Sequence, residues 1–145
     1  MKSSLKTSMF ILCVALSNVA SAGCTVNNVM FESVRENLSR RGGIPISDAQ
    51  CAILNKRNLR LSIDSDYGVL KNVAYGWVVA SLKDDNGFES RAKGLSTYIN
   101  SAQPDTPTAE SIAYAAAEDA IKTLDFEKAA GEILEMQKKA LKKGK

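Results

Sequence analysis

The sequence predicts a small exported α+β domain, and three observations carry that prediction. A short apolar segment behind two lysines opens the chain. Apolar and polar residues alternate through its middle, as in strands with one buried face. Apolar residues recur at helical spacing on both sides of that middle.

The opening segment is read first because it fixes the compartment. Lys2 and Lys6 precede an apolar run from Met9 to Leu16, and Ala20-Ser21-Ala22 is a small-x-small cleavage pattern. Eight apolar residues make about 12 Å of helix, far short of the roughly 30 Å hydrocarbon core. Residues 1–22 therefore read as a cleaved secretory signal, residues 23–137 as a single domain and residues 138–145 as a lysine-rich C-terminal tail, with the product in the periplasm or secreted. The other reading is an outer-membrane lipoprotein with lipid on Cys24. Against it, Ser21 stands three positions before the cysteine, where such a box carries Leu or another aliphatic residue.

Cys13 leaves with the signal, so Cys24 and Cys51 remain in an oxidising compartment, and a disulfide between them is expected. For a loop of that length the chain-entropy model gives about 3–4 kcal/mol. Two cysteines and no histidine do not complete an ordinary zinc site, so neither metal nor cofactor is expected.

Charge is distributed unevenly. Residues 23–137 hold 12 basic against 16 acidic side chains, whereas the tail contributes Lys138, Lys139, Lys142, Lys143 and Lys145. A nucleic-acid binder concentrates positive charge on its folded body, and this body is acidic. The tail lysines suit at most a weak association with a membrane surface.

Val26, Met30, Val34 and Leu38 are spaced by four, with Thr25 or Asn27 as a cap and Gly42-Gly43 as a stop, which predicts a first helix. Ser47 caps a second helix, from Asp48 to about Asn58. Leu59, Leu61 and Ile63 then alternate with polar residues as a strand, and Asp64-Ser-Asp66-Tyr-Gly68 reads as the turn that ends it, since it fails the calcium-loop pattern at its glycine and at position twelve. Val73 to Asp84 and Phe88 to Asn100 flank Asn86-Gly87, a hairpin signal that completes a small antiparallel sheet of about three strands. With Asn86 and Gly87 as the loop, Val78 faces Leu95, Ala74 faces Ile99, Trp77 faces Ser96 and Tyr75 faces Tyr98. Thr106-Pro107 starts a long, alanine-rich C-terminal helix, with Asp125 capping its second segment.

Catalytic signals are weak. The absence of histidine removes the usual general base near neutral pH, and with it Ser-His-Asp and Cys-His chemistry. Ser90-Arg-Ala-Lys93 spells a Ser-x-x-Lys pattern, but in a strand an odd spacing sends the two side chains to opposite faces. Asn37-Leu-Ser39 matches a glycosylation pattern inside a helix. The expectation is a non-enzymatic domain that binds a protein partner in the bacterial envelope, as an inhibitor or immunity-type factor or as an accessory to a secretion or surface assembly, with a homodimer as one form of it. The alternative is a periplasmic domain holding a small ligand or lipid between sheet and helix.

In the expected register Ala74, Val78, Ala80, Leu82, Leu95 and Ile99 share the face that meets the last helix. Tyr75, Trp77, Val79, Ala92 and Tyr98 share the other. The N-terminal helices are expected to cover that second face and enclose Trp77. If they do not, Tyr75, Trp77 and Tyr98 become anchors for a partner.

Overall fold

A computed structural model describes residues 28–143. The elements are β1 (Asn28–Val29), α1 (Glu32–Arg40), α2 (Asp48–Arg57), β2 (Arg60–Leu70), β3 (Val73–Lys83), β4 (Gly94–Asn100), α3 (Thr106–Thr123) and α4 (Phe126–Lys143). The strands form one mixed sheet in the order β1-β2-β3-β4, in which β1 is parallel to β2 and the other pairs are antiparallel. The fold is α+β as expected, with one more strand than expected and a parallel edge. A parallel pair needs a crossover, and α1 and α2 supply it.

The start of the first expected helix is the short strand β1. Asn28 and Val29 lie beside Leu61 and Ser62, and the helix begins only at Glu32, with Val34 and Leu38 on its buried side. The second helix is as expected. Ser47 and Gln50 form a reciprocal capping box, and Asn58 ends the helix in the left-handed region at φ 49°.

The acidic stretch after Ile63 continues as strand where a turn was expected. Asp64 lies opposite Val79 and Asp66 opposite Trp77, and the ladder runs on to the pair of Leu70 with Val73. Weak strand formers are carried here by pairing along the whole of β3. The reversal comes later, at Lys71-Asn72, with Lys71 at φ 55°.

The Asn86-Gly87 turn is a three-residue loop rather than a two-residue one. Asp84 N–H donates to the Phe88 carbonyl at 3.1 Å, and Gly87 takes φ 85°, the left-handed residue that closes such a loop. Beyond it Ser90 N–H donates to the Leu82 carbonyl at 2.9 Å, yet regular pairing resumes at Ala80 with Gly94. The second strand therefore carries two extra residues between those points, and Arg91 to Lys93 bulge out. Glu132 on α4 holds the bulge: its Oε2 accepts the N–H groups of Arg91 at 2.7 Å and Ala92 at 2.8 Å.

The three-residue loop and the two-residue bulge together change the expected register. Val78 lies opposite Ser96, Trp77 opposite Thr97, Tyr75 opposite Ile99 and Ala74 opposite Asn100, one residue from the expected pairing. A slip of one residue turns every side chain of β4 to the other face.

All four helices lie on one side of the sheet. Val34 and Leu38 of α1 and Leu54 of α2 join one core with Leu61, Ile63, Val78, Ala80 and Leu82 from the strands and with Ala116, Ala117, Ala120 and Ile121 from α3. The N-terminal helices brace α3 and α4: Asn37 Nδ2 donates to the Glu110 carbonyl at 3.2 Å, and Gln50 Nε2 to that of Ile121 at 3.2 Å. They do not cover the Trp77 face. The C-terminal helix is two helices, broken at Leu124. Asp105 caps the first, one residue before the expected Thr106, and Asp125 caps the second by accepting the Lys128 N–H at 2.9 Å.

Candidate interaction face

The alanine stripe of α3 brings the helix backbone close to the sheet, so the strand residues beneath it must be small. Ala74, Gly76 and Ala80 of β3 and Gly94 of β4 meet that requirement. A Cβ on Gly94 would lie 1.7 Å from the Ala120 carbonyl oxygen, and one on Gly76 would lie 3.0 Å from the Ala113 nitrogen. The helix side of β4 is thus reserved for Gly94, Ser96 and Tyr98. Leu95 and Ile99 are forced to the opposite side, where they are 67% and 70% exposed.

That opposite side carries Val73, Tyr75, Trp77 and Val79 from β3, all half-buried, along with exposed Leu70 from β2 and Val29 from β1. Among the described residues no helix packs on it. At its β1 end Val29, Met30, Phe31 and Val79 line a groove of about 600 Å³ together with Lys83, Glu89 and Lys93. Glu89 accepts from Lys93 Nζ at 2.7 Å and Ser81 Oγ at 2.8 Å and lies 3.4 Å from Lys83 Nζ. Partial burial pushes its carboxyl up, but those hydrogen bonds and the two lysine charges outweigh burial and hold it at about 2. The β2 flank is acidic, with Asp64 and Asp66. Tyr75 Oη donates to Asp66 Oδ2 at 3.0 Å, and that hydrogen bond raises the phenol above its ordinary value.

The three expected anchors are divided. Tyr75 and Trp77 lie on the helix-free face. Tyr98 lies opposite Gly76 on the helix side, where its hydroxyl donates to the Asp119 carboxylate, and that hydrogen bond raises its phenol too. Leu95 and Ile99 take its place beside Tyr75 and Trp77, and the signal that could have found them is the need for small residues under α3. Cys51 is buried at the start of α2, with Asn55 Nδ2 3.4 Å from its sulfur, while Cys24 and the cleavage pattern lie outside the described residues.

The remaining motifs have structural occupations. Ser90 is 2% exposed; its hydroxyl accepts the Leu82 N–H at 3.0 Å and donates to the Ala92 carbonyl at 2.8 Å, while Lys93 engages Glu89. The Ser-x-x-Lys residues therefore do not converge. Asn37 of the glycosylation pattern is 3% exposed and accepts from Arg41 Nε at 3.1 Å. No helix among the described residues is long and apolar enough to cross a membrane. Comparison with known proteins finds no matching family model, no matching curated protein and no matching solved structure.

Proposed function

We propose that this chain is an exported, non-enzymatic domain that binds a protein partner in the bacterial envelope through the helix-free face of its sheet. The observation that carries the reading is the concentration of apolar and aromatic side chains there: Leu95 and Ile99 stand out in solvent beside half-buried Tyr75, Trp77 and Val79. Scattered exposed apolar residues need no explanation, but a contiguous patch on one sheet face marks an interaction site. Covering Leu95 and Ile99 is worth about 1.5–3 kcal/mol each, and Tyr and Trp are the residue types that anchor interfaces. The adjoining edge strand supports the same reading, since Leu95-Ser-Thr-Tyr-Ile99 contains none of the charges or prolines that blunt unused edges.

The test is site-specific photo-crosslinking in envelopes. A reactive side chain at Leu95 or Ile99 is expected to capture one discrete protein, and a probe at exposed Lys122 on α3 is expected not to. The reading is lost if the Leu95→Glu/Ile99→Glu double variant, with the reactive side chain at exposed Thr97 opposite Trp77, folds normally and captures that protein as efficiently as the same probe in the parent background.

A further inference from the structure

The sheet face does not account for the end of α4. Phe126, Ala129, Ala130 and Ile133 bury the first half of this helix, and Gln137 Nε2 makes its last described hydrogen bond to the body, to Asp84 Oδ2 at 2.6 Å. From Lys138 to Lys143 every residue is exposed and still helical. Those six positions hold four lysines and no acid, and none of the lysines enters an ion pair among the described residues. At about 100° per residue the lysines cover an arc of about 140°, and Leu134 and Leu141 stand together beside that arc. Leu141 is 74% exposed. The region expected as a lysine tail is thus an exposed, helical, amphipathic and cationic extension of α4 beyond an acidic body.

We propose that this arm lays the protein on an anionic phospholipid surface. Charge complementarity selects the occupant. Lysines on a helix near an anionic leaflet each strengthen partitioning by about fivefold, their long stems let the ammonium groups reach phosphate while the helix lies flat, and Leu141 enters the headgroup boundary beside them. Four lysines and one leucine give reversible attachment, weaker than a lipid anchor or a spanning helix. The arm extends from the helical side of the fold, so attachment and partner binding use different surfaces, and this inference does not depend on the proposed partner.

Co-sedimentation with vesicles tests it on the full chain. The protein is expected to bind vesicles of phosphatidylethanolamine containing about one part in four phosphatidylglycerol, to leave pure phosphatidylcholine in the supernatant, and to lose about tenfold or more in affinity between about 50 mM and 500 mM NaCl. Replacing Lys138, Lys139, Lys142 and Lys143 by Gln is expected to cost about a hundredfold or more, and Leu141→Gln a few-fold, with the melting curve of the body unchanged. If the quadruple variant melts early, Lys138→Gln/Lys142→Gln serves instead, with an expected loss of about twentyfold. Equal binding to both vesicle types, unchanged binding by a folded charge variant, or no binding at low salt each overturns the proposal. So does tighter binding to duplex DNA than to the same concentration of lipid phosphate, which would make the arm a general polyanion binder.

Discussion

Gly94→Ala is expected to be the most destabilising conservative change at any glycine of the sheet. The added methyl would lie 1.7 Å from the Ala120 carbonyl oxygen, 2.7 Å from its carbon and 3.0 Å from the Leu124 nitrogen, all backbone atoms of α3 and the break that follows it. An ordinary contact needs roughly 3.5 Å, so strand and helix must separate by well over 1 Å. That gap would open along a stripe that includes Ala113, Ala116, Ala117 and Ala120, each of which loses close contact with the sheet. A radial gap of about 0.5–1 Å already forfeits a quarter to a half of each attraction. The cost should therefore lie at or beyond the top of the overpacking range, about 3 kcal/mol or more, which lowers Tm by about 10–20 °C in a domain of this size. Two internal controls calibrate the reasoning. Gly76→Ala meets the Ile112 Cγ2 methyl at 2.9 Å and the Ala113 nitrogen at 3.0 Å, so a shift of a few tenths of an ångström and about 1–2 kcal/mol should suffice. Gly131→Ala lies within α4 with nothing inside 4 Å, and should stabilise by about 0.5–1 kcal/mol. Urea and thermal melts of the three variants give the ranking. A Gly94→Ala protein that melts within a few degrees of the parent refutes the seating of α3 on the β4 backbone, and with it the argument that drives Leu95 and Ile99 outward.

Trp77→Ala should cost about 1–2 kcal/mol, because the side chain is half-buried on an uncovered face; a loss of about 3–5 kcal/mol in urea melts would show that the face is enclosed in solution. Asp84 accepts the N–H groups of Asn86 and Phe88 and the side-chain amides of Asn86 and Gln137, so Asp84→Ala leaves several donors unmatched and should cost about 2–4 kcal/mol by the same measurement. Glu89 is held at about 2 against an ordinary 4.5, so the stability it contributes is present above about pH 4.5 and is lost as pH falls toward 2. The stability difference between parent and Glu89→Gln should shrink across that window, and a difference that stays constant would remove the ion cluster from the account. Protein recovered from its native compartment should begin at Gly23 by intact mass and resist maleimide before reduction, as a Cys24–Cys51 bridge requires; a lipid adduct on Cys24 or two reactive thiols would exclude that bridge.

Elements set by local chemistry were legible from the chain. Ser47 announces α2 because the cap is made within four residues, with Gln50 completing it in the structure, and Asp125 announces α4 for the same reason. Elements set by distant partners were not. Nothing local in Asn28-Val29 calls for a strand; its reason is the edge of β2, far along the chain. Asp64 to Gly68 reads as a turn because Asp and Gly are poor strand formers, and only the length of β3 opposite them makes the extended form pay.

The pairing partners of β4 turned on the least conspicuous residues in the hairpin. Arg91 and Ala92 carry no strand or turn signal, and their N–H groups would be stranded in a bulge without the Glu132 carboxylate that α4 brings to them across some 40 residues of chain. Hydrogen bonding to those backbone groups, that of Ala92 first, holds Glu132 below its ordinary value, in keeping with a carboxylate that stays ionised to do this work. The two extra residues of the bulge preserve the alternation of β4, so its facing is set by the loop: with a two-residue turn in place of the three-residue one, β4 would place Leu95 and Ile99 against α3, into a layer sized for Gly94 and Ser96, and Tyr98 would join Tyr75. With the three-residue loop the two aliphatic side chains stand in solvent beside Trp77. The apolar face is therefore a consequence of how closely an alanine helix must approach its sheet, and the same steric demand that fixes the register creates the surface through which we propose the protein binds.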